Sequence, residues 1–272
     1  MPEAGPSSQA RQVSSGPAVS SFTWTRDGQL VVEQDSGLNL LNSDSGLKTP
    51  LTNEEGFVAG EPSACSDGRY VVFTGLILSG KRTGNIWRMD EGGGNLKQLT
   101  AGKLDTCPVC SADGHAVFYG DAEGKLTTVP LEGGTAKRIA EQPVFSNFDV
   151  SPDGKFTAFA TYRVGELKEK LALLAIDSGQ ILRFLDFERP LSSATPGSVR
   201  LTRDGKAVIY PVRDGGTDNL WLQHLDGSPG KQITDFKSEE IIDFRWSFDG
   251  SKLALIRGHT DSDVVLIRDS LR

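Results

Sequence analysis

The stretch DVSPDGKFTAF, residues 149–159, sets an Asp-Gly pair between two apolar runs. Gly accepts the positive φ that a tight turn demands, so Asp-Gly in such a setting signals a β-hairpin. Five further copies stand along the chain: WTRDGQLVV, ACSDGRYVVF, VCSADGHAVFY, RLTRDGKAVIY and RWSFDGSKLAL. The six aspartates are Asp27, Asp67, Asp113, Asp153, Asp204 and Asp249, spaced by 40, 46, 40, 51 and 45 residues. Internal repeats of this period mark propellers or solenoids.

Aligned as columns, the copies give each position a task. Three before the Asp stand Trp24, Ala64, Cys110, Val150, Leu201 and Trp246, mostly apolar; two before it stand Thr25, Cys65, Ser111, Ser151, Thr202 and Ser247, small and mostly hydroxylic. This reads as a short strand entering a turn. A second strand follows the Gly, with Val31, Val71, Val117, Thr157, Val208 and Leu253 in one column. After a variable loop comes a third, LNLLN, NIWRMD, KLTTVPL, KLALLAI, NLWLQHL and DVVLIRD, and most copies turn through Gly-rich segments into a fourth, KQLT, KRIA or KQIT. Helical periodicity is nearly absent. Four short antiparallel strands in six copies predict an all-β fold, a six-bladed β-propeller of four-stranded blades.

The sixth copy stops at Arg272 without room for its fourth strand, while Arg11-Gln12-Val13-Ser14 ahead of the first copy resembles Lys97-Gln98-Leu99-Thr100. Arg11 precedes Asp27 by 16 residues, as Lys97 precedes Asp113. The N-terminal strand is therefore expected to complete the last blade, sparing it an open edge. Residues 1–9, rich in Pro, Ser, Gly and Ala, read as a linker or disordered tail, and 10–272 as a single propeller domain.

Ser151-Pro-Asp-Gly154 and Trp246-Ser-x-Asp-Gly250, repeated in looser form along nearly the whole chain, resemble the TolB-type, WD-like propeller repeat. Trp24-Thr-Arg-Asp, Cys110-Ser-Ala-Asp and Leu201-Thr-Arg-Asp depart from the Ser-Pro-Asp form. Such propellers are binding platforms in TolB, gating caps in prolyl oligopeptidase relatives, and C-terminal sensor modules in bacterial serine/threonine kinases and transcription regulators. The closing SDVVLIRDSLR is similar to ends of the last group. The resemblance implies a non-catalytic module recognising a protein, peptide or other ligand, within a larger bacterial signalling protein, on the extracytoplasmic (periplasmic) side.

Composition narrows the partners. A chain of 272 residues at net charge -7 lacks the broad basic footprint that duplex nucleic acid requires, so nucleic acid is not expected. No apolar run approaches the ~20 residues of a membrane helix, so no membrane insertion by this chain is expected, and the start lacks the apolar stretch of a secretion signal. The expected state is a monomer without a cofactor.

Three local patterns invite a chemical reading. TGLILSGKRTG, Thr74 to Gly84, holds most of a phosphate loop, yet Arg82 stands where a Mg²⁺-binding hydroxyl belongs and the stretch joins two strands with no helix to follow. Cys107-Pro-Val-Cys110 is a C-x-x-C, but only Cys65 could join it, short of a tetrahedral zinc set. Buried small residues are the simpler reading, though three cysteines permit one disulfide. The three histidines are scattered: His115 at a turn, His224 on a third strand, His259 in a loop beside Asp261 and Asp263. No Gly-x-Ser-x-Gly elbow or triad arrangement occurs.

A binding surface is expected where loops enter the first strands. Six residues before each Asp stand Ser21, Glu61, Cys107, Asn147, Ser198 and Asp243, predicted to ring the channel mouth, with Lys81, Arg82, Arg163, Arg213, Asp214, Asp218 and His259 on loops around them. Of these, Glu61, Asn147, Ser198, Asp243, Arg163, Arg213 and His259 form the candidate partner-binding rim; no catalytic or metal-binding residue is assigned. The alternative is a funnel-site lyase or hydrolase, since some six-bladed propellers hold a divalent metal through inward Glu, Asn and Asp, for which Glu61, Asn147 and Asp243 would serve.

Overall fold

In five of the six copies the hydroxyl two residues before the Asp donates to that Asp, over 2.5–2.7 Å. The same oxygen accepts a backbone N–H from the far side of the turn, at 2.9–3.1 Å. Each turn Gly then closes onto the carbonyl three residues back, at a φ between 66° and 84° that only Gly adopts without strain. The sequence Ser/Thr-x-Asp-Gly is thus a self-contained turn, made without help from the rest of the molecule.

The computed structural model describes residues 10–78, 83–144, 148–163, 165–192 and 198–259. Each hairpin extends into an antiparallel sheet. The first blade holds Val19–Trp24, Leu30–Gln34, Gly37–Leu41 and Lys48–Pro50; the second Phe57–Ala64, Tyr70–Ile77, Thr83–Asp90 and Lys97–Gln98. The third holds Thr106–Cys110, Ala116–Gly120, Lys125–Pro130 and Lys137–Pro143; the fourth Phe148–Val150, Phe156–Tyr162, Glu169–Ala175 and Ile181–Asp186. The fifth holds Arg200–Leu201, Ala207–Asp214, Thr217–His224 and Lys231–Gln232. The sixth copy forms a two-stranded sheet, Glu240–Trp246 with Leu253–Gly258. Among the described residues, four-stranded blades are therefore present for five repeats rather than the six expected. The anticipated third strand of the sixth copy lies outside the described residues, and Arg11–Ser14 is not a strand among them. That segment instead lies on the first blade, where Val13 packs near Phe22 and Leu41 and Arg11 donates to the Ser43 carbonyl. Residues 1–9, expected to be a tail, also lie outside the described residues.

Second strands are apolar on both faces because both are covered by neighbouring blades. Val72 packs toward the third blade with Val117 and Tyr119, while Val71 and Phe73 pack toward the first with Val31 and Leu38. Phe118 joins Phe159 of the fourth blade, Ala158 joins Val208 and Tyr210 of the fifth, and Ile209 joins Phe244 of the sixth. The sixth returns to the first through Phe248, Ala254 and Ile256 against Phe22 and Trp24, so the sheets form a closed ring.

One column shifts. In the later copies the residue three before the Asp pairs with the residue four after it, as Ala64 with Val71 and Cys110 with Val117. In the first copy Trp24 pairs with Leu30, so Leu30 and not Val31 is the equivalent of Val71. The first hairpin is one residue shorter, and a one-residue change sends each side chain to the opposite face. Val31 accordingly packs on the second blade and Leu30 and Val32 on the sixth.

All six turn aspartates have carboxyls held below the usual carboxylate range. In Asp113, Asp153, Asp204 and Asp249 the leading cause is the Ser or Thr hydroxyl, and Asp249 falls to about 2. At Asp67, where Cys65 replaces the hydroxyl, burial opposes the lowering and the Arg69 bonds outweigh it. A folded carboxyl that is more acidic than the unfolded one contributes stability fully present above the unfolded value of 3.8 and lost as pH falls toward 2. Melting temperature is expected to be level with respect to these groups above pH ~5 and to drop below pH ~4. Asp249→Asn should flatten that drop; an identical acid limb in the variant would contradict the assignment.

Candidate functional site

The innermost strand of a blade has no sheet partner on its channel side, so its N–H groups on that edge need other acceptors. At four of the six seams the preceding blade supplies them as side chains. Thr23 Oγ1 accepts the Ala64 N–H at 3.1 Å, Asp149 Oδ2 accepts that of Leu201 at 2.8 Å, and Asp218 Oδ2 accepts that of Ile241 at 3.1 Å. Ser21 Oγ and Glu33 Oε2 both accept the Glu61 N–H at 3.1 Å, and Glu61 Oε2 accepts the Cys107 N–H at 2.8 Å. At the closing seam Trp24 Nε1 donates to the Arg245 carbonyl at 2.9 Å.

These seams absorb much of the expected rim. Glu61 is half-buried and also accepts from the Thr74 hydroxyl at 2.7 Å and from the Cys107 thiol. Burial, and then the Glu61 carboxylate, push that thiol well above its ordinary pKa. Ser198 is buried, and Asp243 is buried against Arg200 Nη2 at 3.1 Å. Arg213 bridges Glu240 and the buried Asp218, while Arg163 is exposed, paired with Glu166 and lying 5.7 Å from the Phe184 ring. Asp214 and His259 are exposed. Asn147, Lys81 and Arg82 fall outside the described residues.

A β-bulge explains why the residues six before each Asp do not all face the channel. Register shifts occur between Val19 and Ser21, Gly60 and Ser63, Phe118 and Gly120, and Ile241 and Asp243. Glu61 and Cys107 take φ of 53° and 55° there. The extra residue breaks strand alternation and turns Glu61 and Cys107 into the seams between blades.

The channel wall is set two residues later. A cavity of about 460 Å³ is lined by every residue four before an Asp, Thr23, Ser63, Val109, Asp149, Arg200 and Arg245, and by every one three before. Ala112, Pro152 and Arg203, exposed residues of the Asp-Gly turns, also line it, so it opens at the end of the channel opposite the expected rim. The usable signal was the column that is uncharged in the first three copies and charged in the last three.

The cysteines pair across blades rather than remaining simply buried small residues. Cys65 and Cys110 form a disulfide between the second and third blades, leaving Cys107 free. The phosphate-loop lookalike joins Tyr70–Ile77 to Thr83–Asp90, an antiparallel pair, and residues 79–82 lie outside the described residues. Among the described residues, no group of three His, Cys, Asp or Glu side chains converges to share a metal ion. No helix among them is long and apolar enough to cross a membrane.

Glu61→Ala removes the acceptor for one half-buried backbone N–H, one hydroxyl and one thiol. The expected loss is about 1–3 kcal/mol, read as a melting temperature lower by several degrees, with Glu61→Gln between the two. An unchanged melting temperature would show that the seam does not depend on this carboxylate.

No protein-family model and no curated protein matches the sequence. Solved structures do. TolB from Acinetobacter baumannii is similar at 22% identity and a TM-score of 0.65, over 82% of this chain and 55% of that one. This chain thus spans little more than half of that protein. A TolB-like structure from Agrobacterium tumefaciens is similar at 16% identity and a TM-score of 0.68, over 90% and 91%. An oligogalacturonate lyase in complex with manganese shares the architecture at 12% identity and a TM-score of 0.63, over 89% and 74%. With the repeat, the closed ring and these likenesses together, the chain folds as a TolB-like β-propeller.

Proposed function

We propose that this propeller is a non-catalytic recognition module that takes a protein, peptide or small ligand at its central channel, as the sensory or scaffolding part of a larger bacterial signalling protein. The observation that carries this reading is the cavity itself. Its volume falls within the range of ligand pockets, and Trp24, Trp246 and Phe248 offer the rigid aromatic surface that dominates recognition energetics. The likeness to TolB supports a binding role, and the Cys65–Cys110 disulfide supports an oxidising, extracytoplasmic compartment. Arg163, Arg213 and His259 remain a second contact surface at the opposite end, with Glu61 and Asp243 holding the blades behind them and Ser198 buried.

The lyase likeness favours a second reading, a funnel-site enzyme using carboxylates and a divalent metal. Against it, Glu61 and Asp243 are each committed to neighbours within the ring. A stoichiometric divalent ion in purified protein would favour the enzyme.

Panning a displayed peptide library on the immobilised protein tests the main reading. Peptides are expected whose affinity falls about tenfold or more with Trp246→Ala and holds with Arg163→Ala. The reverse pattern would move the site to the rim, and no enrichment would remove the protein and peptide part of the recognition reading.

We further read the ring as six-bladed, its last unit completed by the N-terminal segment, because that segment, though held to the first blade through Arg11, packs Val13 on the same cluster as Phe248, Ala254 and Ile256 of the sixth. Deleting residues 1–16 is then expected to lower the melting temperature markedly; an unchanged value would refute the closure.

A further inference from the structure

The channel is charged on one side only. Thr23, Ser63 and Val109 line the half built by the first three blades, whereas Asp149, Arg200 and Arg245 line the other, with Arg203 at its mouth. The carboxylates against these guanidiniums are Asp149 and Asp243, and both are engaged. Asp149 accepts the Leu201 and Val150 N–H groups, at 2.8 and 3.0 Å. Asp243 Oδ1 accepts from Arg200 and from the Phe244 N–H at 2.8 Å, and its Oδ2 lies 3.7 Å from Arg245 Nε.

Arg200 and Arg245 thus share carboxylates that already serve the backbone, and Arg203 adds a third, exposed guanidinium at the mouth, in a chain whose net charge is -7. The Nε atoms of Arg200 and Arg245 are buried without a hydrogen-bond partner. An unmet buried donor is costly, and a charged one more so. Arg200 Nε has no partner, and Arg245 Nε meets only the Asp243 carboxylate, at 3.7 Å and beyond hydrogen-bond reach, so a turn of either side chain toward the cavity would offer Nε and Nη together as a two-donor edge. Burial, and then the like charge of Arg200, draw Arg245 below its ordinary pKa, a penalty that an arriving anion would offset. Apolar surroundings sharpen the field, because Trp246 and Phe248 adjoin Arg245 and Trp24 donates to its carbonyl.

We propose that this half of the channel is an oxyanion subsite, in which Arg200 and Arg245 grip a carboxylate or phosphate of a ligand whose apolar body lies against Trp24, Trp246 and Phe248. The subsite rests on the channel being the recognition site. Planar guanidinium edges match such oxyanions through paired hydrogen bonds, a geometry that Lys cannot reproduce.

Three probes test it on the full chain at low ionic strength: N-acetylphenylalanine, its amide and phenyl phosphate, followed by tryptophan fluorescence and thermal shift. Saturable binding of the acid or the phosphate is expected, with the amide about tenfold weaker or worse. The stronger of the two anions identifies the headgroup. Arg200→Gln and Arg245→Gln should each reduce anion affinity to that of the amide, and Arg245→Lys should fall between. If Arg245→Gln fails to fold, the amide comparison and Arg200→Gln decide. Equal binding of acid and amide would overturn the subsite and leave channel recognition standing. Binding of none would also overturn it, and the recognition reading would fall only if peptide panning returned nothing as well.

Discussion

Inner strands present channel-side amides that have no strand to pair with, and at four of the six seams the blade before supplies side-chain acceptors for them. Thr23, Glu61, Asp149 and Asp218 do this with oxygens aimed across a seam at single N–H groups. Apolar packing between sheets is larger in energy but unspecific in angle, since dispersion and hydrophobic burial have little directionality. The directional bonds fix how far each blade is rotated from the last, and the rotation fixes whether the ring closes on Trp24 and Arg245.

That constraint also decides which side chains are left for a ligand. Residues that satisfy the seams are spent, as Glu61 and Ser21 are, however polar they look in the sequence. Asp149 is a mixed case, because one carboxylate both completes a seam and faces the channel. Its burial pushes its pKa up while Arg200 opposes that shift. The arginine side of the channel is therefore continuous with the structure that holds the ring together, and its charges are fixed in place by that structure.

The repeat, the hairpin at each Asp-Gly and the apolar columns were legible in the sequence because each depends on contacts within a few residues. The hydroxyl of Ser151 and the carboxylate of Asp153 build a turn by themselves, so their spacing is diagnostic. The shorter first hairpin escaped notice because Leu30, Val31 and Val32 are all apolar, and a slip of one leaves the pattern unchanged. The channel lining escaped for a different reason. Alternation extrapolated back from the turn places position six before the Asp on the channel face, and bulges insert an extra residue there, one that Pro62 marks in the second copy and that nothing about Ile242 marks in the sixth. The bond between Cys65 and Cys110 depends on two blades being adjacent, which neither column reveals alone.

That bond crosses a boundary that elsewhere is held by noncovalent forces. The chain between its ends is 45 residues long and contains the outer three strands of the second blade and the inner strand of the third. Pulled from its termini, the oxidised protein can extend everywhere except within this span, which withholds roughly 15 nm of contour length. Rupture would then begin at some other seam, and what is left would be a covalent loop that keeps the outer strands of the second blade tied to the inner strand of the third.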